Sequence, residues 1–397
     1  MQRREFLNAT LAGGVALLAG SRVNAAQQTE PPADWIDPET GHRVIRLTRE
    51  PGSASLYFHQ NAYTDSGDKL VITTPKGIST IELKTGKIEL IVEGRASSLI
   101  VGRKTRQVFY IKDGAVLATH LDSKATREIV RNADLRTGSG FAVNADETLL
   151  GGSFVRDGKL NNFQPPTNTT PGARPDSYPG KGQMMEDRLA ARLPMSLYTI
   201  NIKSGEVKTF NHCTDWLNHV QFSPTDPGLM MFCHEGPWHK VDRIWTIRTD
   251  GTGGSGDKPR LIHKRTMDME IAGHEFFSAD GKTIWYDLQT PKAKEFWLAG
   301  VEVATGKPIR YPVPRAEWSV HFNCAPNGKL FAGDGGGPAS VAAPGNGQWI
   351  YLFTPENGKL KTRKLVNLAK HDYKLEPNVT FSDGTPLTLE DVTGSFE

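Results

Sequence analysis

One short frame recurs along this chain and constrains the fold more than any other feature. A leading residue is followed three positions later by an apolar one, then by Ser or Ala, then by a Gly-containing turn with Asp or Asn. The segment His274–Phe277–Ser278–Asp280–Gly281 is its fullest form. Related frames begin at His219 (Phe222–Ser223–Pro224), His321 (Cys324–Ala325–Asn327–Gly328), Gln60 (Tyr63–Thr64–Ser66–Gly67) and Asn378 (Phe381–Ser382–Asp383–Gly384). Turns of this kind, between short apolar runs, punctuate antiparallel strands.

The frames divide the chain into repeated β-units. The first, over residues 64–92, has expected strands at Lys69–Thr73, Ile78–Leu83 and Lys87–Val92. The second repeats it with Gln107–Ile111, Val116–His120 and Arg127–Val130. A third starts at Asn144 and resumes at Ser196–Phe210; the fourth to sixth span residues 223–263, 278–313 and 325–367. Four-stranded antiparallel units at a spacing of about 40–50 residues are the mark of a β-propeller. A seventh unit opens at Phe381 with too few residues to finish, while Asp37–Gly41 and Val44–Leu47 resemble the last turn and outer strand of a unit with no beginning. The fold class expected is therefore all-β: a seven-bladed β-propeller, its ring closed by the N-terminal strand joining the last blade. Residues 160–193 interrupt the third unit, with Pro-rich stretches and a short helical run at Met184–Arg192, and read equally as a lid or as a surface loop.

The start of the chain reads as a targeting segment. Arg3-Arg4-Glu5-Phe6-Leu7, the apolar run Ala9–Ala19 and the small residues Val23-Asn24-Ala25 have the form of a twin-arginine export signal over residues 1–25. A linker (26–33) and the propeller domain (34–397) follow, and a periplasmic location is expected. Past the signal, 44 basic and 43 acidic residues leave a net charge of +1, which asks for neither nucleic acid nor an anionic membrane. Three cysteines, Cys213, Cys233 and Cys324, lack the spacing of a zinc knuckle and suit small buried apolar positions.

The frame also predicts a site. In a propeller the innermost strands line the central channel, so the leading positions Gln60, Gly140, His219, His274, His321 and Asn378 belong around one mouth. Each second strand runs antiparallel and ends at the same face, which adds His234, Asp287 and Asp334. A single histidine is more often a hydrogen-bonded structural residue than a ligand, but three at one repeat position point to a shared pocket. His42, His120 and His263 fall outside the frame and read as structural; His212 and His371 lie in connecting segments and are left open.

Four motifs in order, Cys233-His234-Glu235-Gly236-Pro237, Val241-Asp242-Arg243-Ile244-Trp245, Gly273-His274-Glu275-Phe276 and Gly333-Asp334-Gly335, resemble the oligogalacturonate lyases, polysaccharide lyase family 22. The resemblance implies a seven-bladed propeller that cleaves short galacturonate oligomers by β-elimination with a divalent metal, in pectin catabolism. It makes His234 the catalytic base and His274 a metal ligand. The chemistry agrees: a neutral histidine suits removal of the C5 proton, and a metal stabilises charge developing on the uronate carboxylate. Arg243 reads either as a carboxylate clamp or as a blade salt bridge, and His219, Gln60, Asp334 and His239 complete the expected substrate contacts.

Two departures stand out. Where family members carry Gln-x-x-His-Pro-His, this chain has Tyr373-Lys374-Leu375-Glu376-Pro377-Asn378, so Glu376 and Asn378 would replace two histidines, with His321 completing the metal set. Such a site suits Mn²⁺ first, or Ca²⁺ or Mg²⁺. The C-terminus beyond Gly384 does not resemble the strand pair the last blade needs. Competing readings are a lyase for another uronic-acid oligosaccharide and a non-catalytic periplasmic propeller that binds sugars or proteins.

Overall fold

The computed structural model describes residues 34–132, 134–135, 139–157, 181–252, 258–335 and 349–367. The described strands form seven antiparallel sheets in chain order. An N-terminal hairpin pairs β1 (Asp34–Ile36) with β2 (Arg43–Ile45). The first unit has β3 (Lys69–Thr74), β4 (Gly77–Glu82) and β5 (Ile88–Glu93). Four-stranded units follow: β6–β9 (Ser97–Val101, Gln107–Lys112, Ala115–His120, Thr126–Arg131) and β10–β13 (Ser139–Val143, Leu149–Val155, Met195–Asn201, Val207–Cys213). The fourth unit is β14–β17 (Trp216–Phe222, Leu229–Glu235, Ile244–Arg248, Arg260–Leu261), the fifth β18–β21 (Ile271–Phe277, Thr283–Gln289, Phe296–Glu302, Pro308–Val313). The sixth is β22–β25 (Asn323–Cys324, Phe331–Gly333, Trp349–Glu356, Lys359–Asn367).

The recurring frame has a direct physical basis. Ser278 Oγ donates to Asp280 Oδ1 at 2.6 Å and accepts from Thr283 N at 3.0 Å, so its hydroxyl closes the hairpin between β18 and β19. Gly281 takes φ +69°, the left-handed conformation that costs a Cβ-free residue nothing. The turn belongs between the first and second strands of a sheet, so each unit begins one strand earlier than the spacing of the turns suggests.

The core lies between neighbouring sheets. Ile100 and Phe109 of the second unit pack with Phe141, Leu150 and Tyr198 of the third. Leu197 of the third meets Leu217, Met230 and Phe232 of the fourth, and Phe276 and Trp285 of the fifth join Phe331 and Phe353 of the sixth. Each fully buried Phe or Leu contributes about 1.5–3 kcal/mol. Middle strands such as β19, covered on both faces, are buried almost throughout, whereas outer strands such as β21 alternate.

The ends of the described region approach each other. In the hairpin turn, Thr40 Oγ1 donates to Leu365 O at 2.6 Å, and Asn367 N donates to Asp37 Oδ2 at 3.2 Å, which ties the N-terminal hairpin to β25. The strand pairing expected to close the ring falls on residues from Phe381 onward, outside the described residues. The first unit also departs from its expected form. In place of a regular innermost strand it has two isolated bridges, Ala54 to Thr73 and Tyr63 to Leu70. The chain between them carries the turn Tyr57–Gln60.

Candidate functional site

The leading histidines do not start their strands. His219 and His274 lie mid-strand, each at a β-bulge where two residues face one: His219 and Val220 opposite Phe232, His274 and Glu275 opposite Tyr286. Both take left-handed backbone, φ 48° and 49°. Such a conformation costs an L-residue roughly 1–2 kcal/mol and re-aims its side chain. Ser98, φ 53°, holds the same place in the second unit, and the register also shifts between Ser139 and Phe141 in the third.

The bulge brings in a carboxylate as well. The residue after the leading position is Leu99 in the second unit and Val220 in the fourth, both apolar, but Glu275 in the fifth. Glu275 is fully buried and is matched by Arg243, whose Nε lies 2.9 Å from Glu275 Oε2 and whose Nη1 lies 2.7 Å from Glu235 Oε1. Burial works to raise both carboxyls, yet the adjacent guanidinium, with His219, holds Glu235 well below its usual value and Glu275 below it too. His219 sits between them, Nε2 3.3 Å from Glu235 Oε2 and Nδ1 3.7 Å from Glu275 Oε1.

A second arrangement pairs histidines with aspartates. His274 Nδ1 lies 2.6 Å from Asp287 Oδ1, and His321 Nδ1 lies 2.5 Å from Asp334 Oδ2. The two rings are 4.5 Å apart between centroids. Burial pushes the Asp287 carboxyl up to about 7, against the pull of His321 and Arg243. A carboxylate that accepts from Nδ1–H leaves Nε2 as the ligand nitrogen, the supporting contact characteristic of metal-binding histidines. His321 Nε2 is buried with no hydrogen-bond partner among the described residues. These two residues therefore fit a metal. A tighter grouping, His219, Cys233 and Glu235, has ligand atoms within 4.8 Å. There the positive charge is already supplied by Arg243, and burial holds the Cys233 thiol protonated.

The turn before β3 crosses to this cluster. The Tyr57 ring stands edge-on to His219 and His321, at 5.5 and 5.8 Å, and His59 stacks on His219 at 5.7 Å. Burial and the surrounding histidines depress the His59 pKa well below its usual value, and its Nδ1 is buried without a partner among the described residues. The frame pointed to its neighbour Gln60 instead. Gln60 Oε1 accepts from Tyr57 N at 3.1 Å and serves to hold the turn. His59 has no counterpart at the repeat position, which is why the periodicity missed it. Glu275 was legible in principle, as a charged residue where sister frames are apolar.

The remaining expected residues fall as follows. His234 is the penultimate residue of β15, where successive side chains alternate, so it faces away from Cys233 and Glu235. Its ring stacks on Trp245 at 4.8 Å, and its Nδ1 lies 3.9 Å from Asp215 Oδ2. Burial lowers its pKa, with Asp215 pulling the other way. The single pocket expected for all four histidines is thus divided by β15. Arg243 is buried with its nitrogens directed at Glu235 and Glu275, the geometry of an internal ion pair rather than an open clamp. Asp334 is the partner of His321. His239 lies in the loop after β15, its carbonyl accepting from Arg265. His263 bonds Glu270 and Tyr286, and His212 bonds Ser196, as structural residues. Glu376 and Asn378, with Tyr373 and His371, lie outside the described residues.

Asn218, His219, Glu235, Arg243 and His274 form the polar lining of a cavity of about 290 Å³. Its other walls include Tyr57, Trp216, Trp238 and two methionines, Met184 and Met185, from helix α1 (Lys181–Ala191). This helix belongs to the segment that interrupts the third unit.

The family described as oligogalacturonate lyase matches residues 32–377. The chain is 24% identical over 361 residues to the oligogalacturonide lyase of Pectobacterium atrosepticum, covering 86% of this chain and 85% of that one. It is likewise 24% identical over 391 residues to the oligogalacturonate lyase of Dickeya dadantii, covering 91% and 93%. Among solved structures, an oligogalacturonate lyase in complex with manganese superposes with a TM-score of 0.68 at 21% identity, covering 89% and 87% of the two chains. An oligogalacturonate lyase from Vibrio parahaemolyticus gives 0.69 at 20%, covering 89% and 88%.

Proposed function

This chain belongs to the oligogalacturonate lyase family of polysaccharide lyases, and from that premise we propose that it cleaves short pectin-derived uronides by metal-assisted β-elimination in pectin catabolism. The observation that carries the proposal is the pair of histidine–carboxylate dyads, His274–Asp287 and His321–Asp334, with ring centroids 4.5 Å apart. Those two histidines would hold the divalent cation, Mn²⁺ by preference, with Glu376 and Asn378 as the further ligands suggested by the sequence. A cation there would draw charge from the substrate carboxylate and ease loss of the C5 proton. The protein's own part is to hold the ligand rings in one tautomer, to surround the reacting uronate with the polar wall of the cavity, and to accept the C5 proton.

His234 is the base that the family resemblance indicates. A second assignment is favoured by one observation: His219 lines the cavity and its Nδ1 is buried without a hydrogen-bond partner among the described residues, whereas His234 stacks on Trp245 of the adjacent strand β16. Purified protein should bind a divalent ion and generate the conjugated-alkene absorbance of an unsaturated uronide from digalacturonate, and lose that activity in chelator. Absence of turnover on pectic oligomers, with turnover on alginate or ulvan oligomers, would move the substrate to another uronide. His234→Ala and His219→Ala, each with metal content measured, decide the base: the variant that keeps metal and loses turnover identifies it.

Export through the twin-arginine route to the periplasm is part of the same proposal. Arg3→Lys with Arg4→Lys should retain the precursor in the cytoplasm.

A further inference from the structure

Helix α1 stands where only an interruption of the third unit could put it, and it is fastened at several points. Glu186 Oε1 lies 2.7 Å from Lys240 Nζ, in the loop that follows β15. Arg192, just past the helix, places Nη1 3.0 Å from Asp215 Oδ1. Between these anchors the guanidinium carbon of buried Arg188 lies 5.2 Å from the centre of the Trp216 ring.

The result is a two-sided cavity. The polar side is Asn218, His219, Glu235, Arg243 and His274; the other side presents Met184 and Met185 beside Trp216. Trp216 Nε1–H is buried and has no acceptor among the described residues. An indole N–H in such a place asks for an oxygen, and thioethers beside an aromatic ring adapt to the apolar face of a ligand. A pyranose supplies both, a face of C–H bonds and a rim of oxygens. At about 290 Å³ the cavity is at the floor of the roughly 300–1,000 Å³ range of small-molecule sites, enough for one or two sugar rings.

We infer that helix α1 and Trp216 form the sugar platform of this site and set its preference for short uronides: Met184 and Met185 pack on a ring face, and Trp216 Nε1–H binds a sugar oxygen. The inference rests on the proposed uronide-lyase activity. Its test compares kcat/KM for digalacturonate and tetragalacturonate in the native protein, in Met184→Ala and in Trp216→Phe, with thermal midpoints measured alongside. Shortening Met184 should lower the dimer-to-tetramer ratio roughly five- to tenfold. Trp216→Phe keeps the ring and removes the donor, and should raise KM for the dimer roughly tenfold with kcat little changed. Native-like ratio and KM in both folded variants would overturn the inference and leave the lyase reading intact. No turnover of either oligomer by the native protein would overturn both. Were Trp216→Phe to unfold, the ratio in Met184→Ala decides.

Discussion

His219 and His274 occupy the same β-bulge in adjacent sheets, each with left-handed backbone, and the residue after each decides what the bulge does. After His219 it is Val220, which joins the core; after His274 it is Glu275, which binds Arg243 from the neighbouring unit. One local irregularity, repeated, supplies a row of inward-turned imidazoles, and a single exchange of an apolar for an acidic residue ties two units together.

That tie should dominate stability near the site. Arg243→Met leaves Glu235 and Glu275 buried without their cation, and denaturant unfolding should show a loss of about 3–5 kcal/mol at neutral pH. In the native protein both carboxyls are held below their ordinary values, so their contribution is present above about pH 4.3 and is lost as pH falls through the lower folded values. In the variant, protonation relieves the buried charge. The gap between the two proteins should therefore narrow below about pH 4; a gap that stays constant with pH would contradict the ion-pair assignment.

Metal affinity should depend on the aspartates as well as the histidines. Asp287→Asn and Asp334→Asn keep the shape of each dyad but weaken its hold on the histidine tautomer. Calorimetric titration with Mn²⁺ should show about 10- to 100-fold weaker binding in each. His274→Ala should abolish it.

If His234 is the base, its burial has a kinetic signature. The group acts when neutral, and burial lowers its pKa, so kcat/KM should rise with pH along a limb lying below the ordinary histidine value of about 6.5. Asp215 pulls that value upward, so Asp215→Asn should move the limb to still lower pH. A limb that does not respond to Asp215 points to His219.

His59 offers two separable contributions, a stacked ring and an unpartnered nitrogen. His59→Phe preserves the stack on His219, and His59→Ala removes both. Turnover retained in the first and lost in the second assigns His59 to positioning; loss in both assigns a role to its nitrogen.

The repeat and the identity of most polar groups near the cavity are written in the amino-acid order alone, because turn chemistry is local. Ser278, Asp280 and Gly281 make their hairpin from contacts within a few residues, and any chain with that spacing would do so. His219, His274 and His321 were legible for the same reason, as leading residues of a recurring turn. Side-chain direction and long-range company came from the packing of the folded chain. Alternation along β15 sends His234 to one face and Glu235 to the other, and the bulges shift that phase by one residue at His219 and His274, an offset that spacing alone does not carry. Arg243 found Glu275 through an interface between units, beside Glu235 of its own unit, which turned the clamp reading into an internal ion pair. His59 arrived from more than 150 residues away in sequence, on a turn outside the repeat, because stacking against His219 depends on the fold bringing distant segments together and leaves no periodic trace.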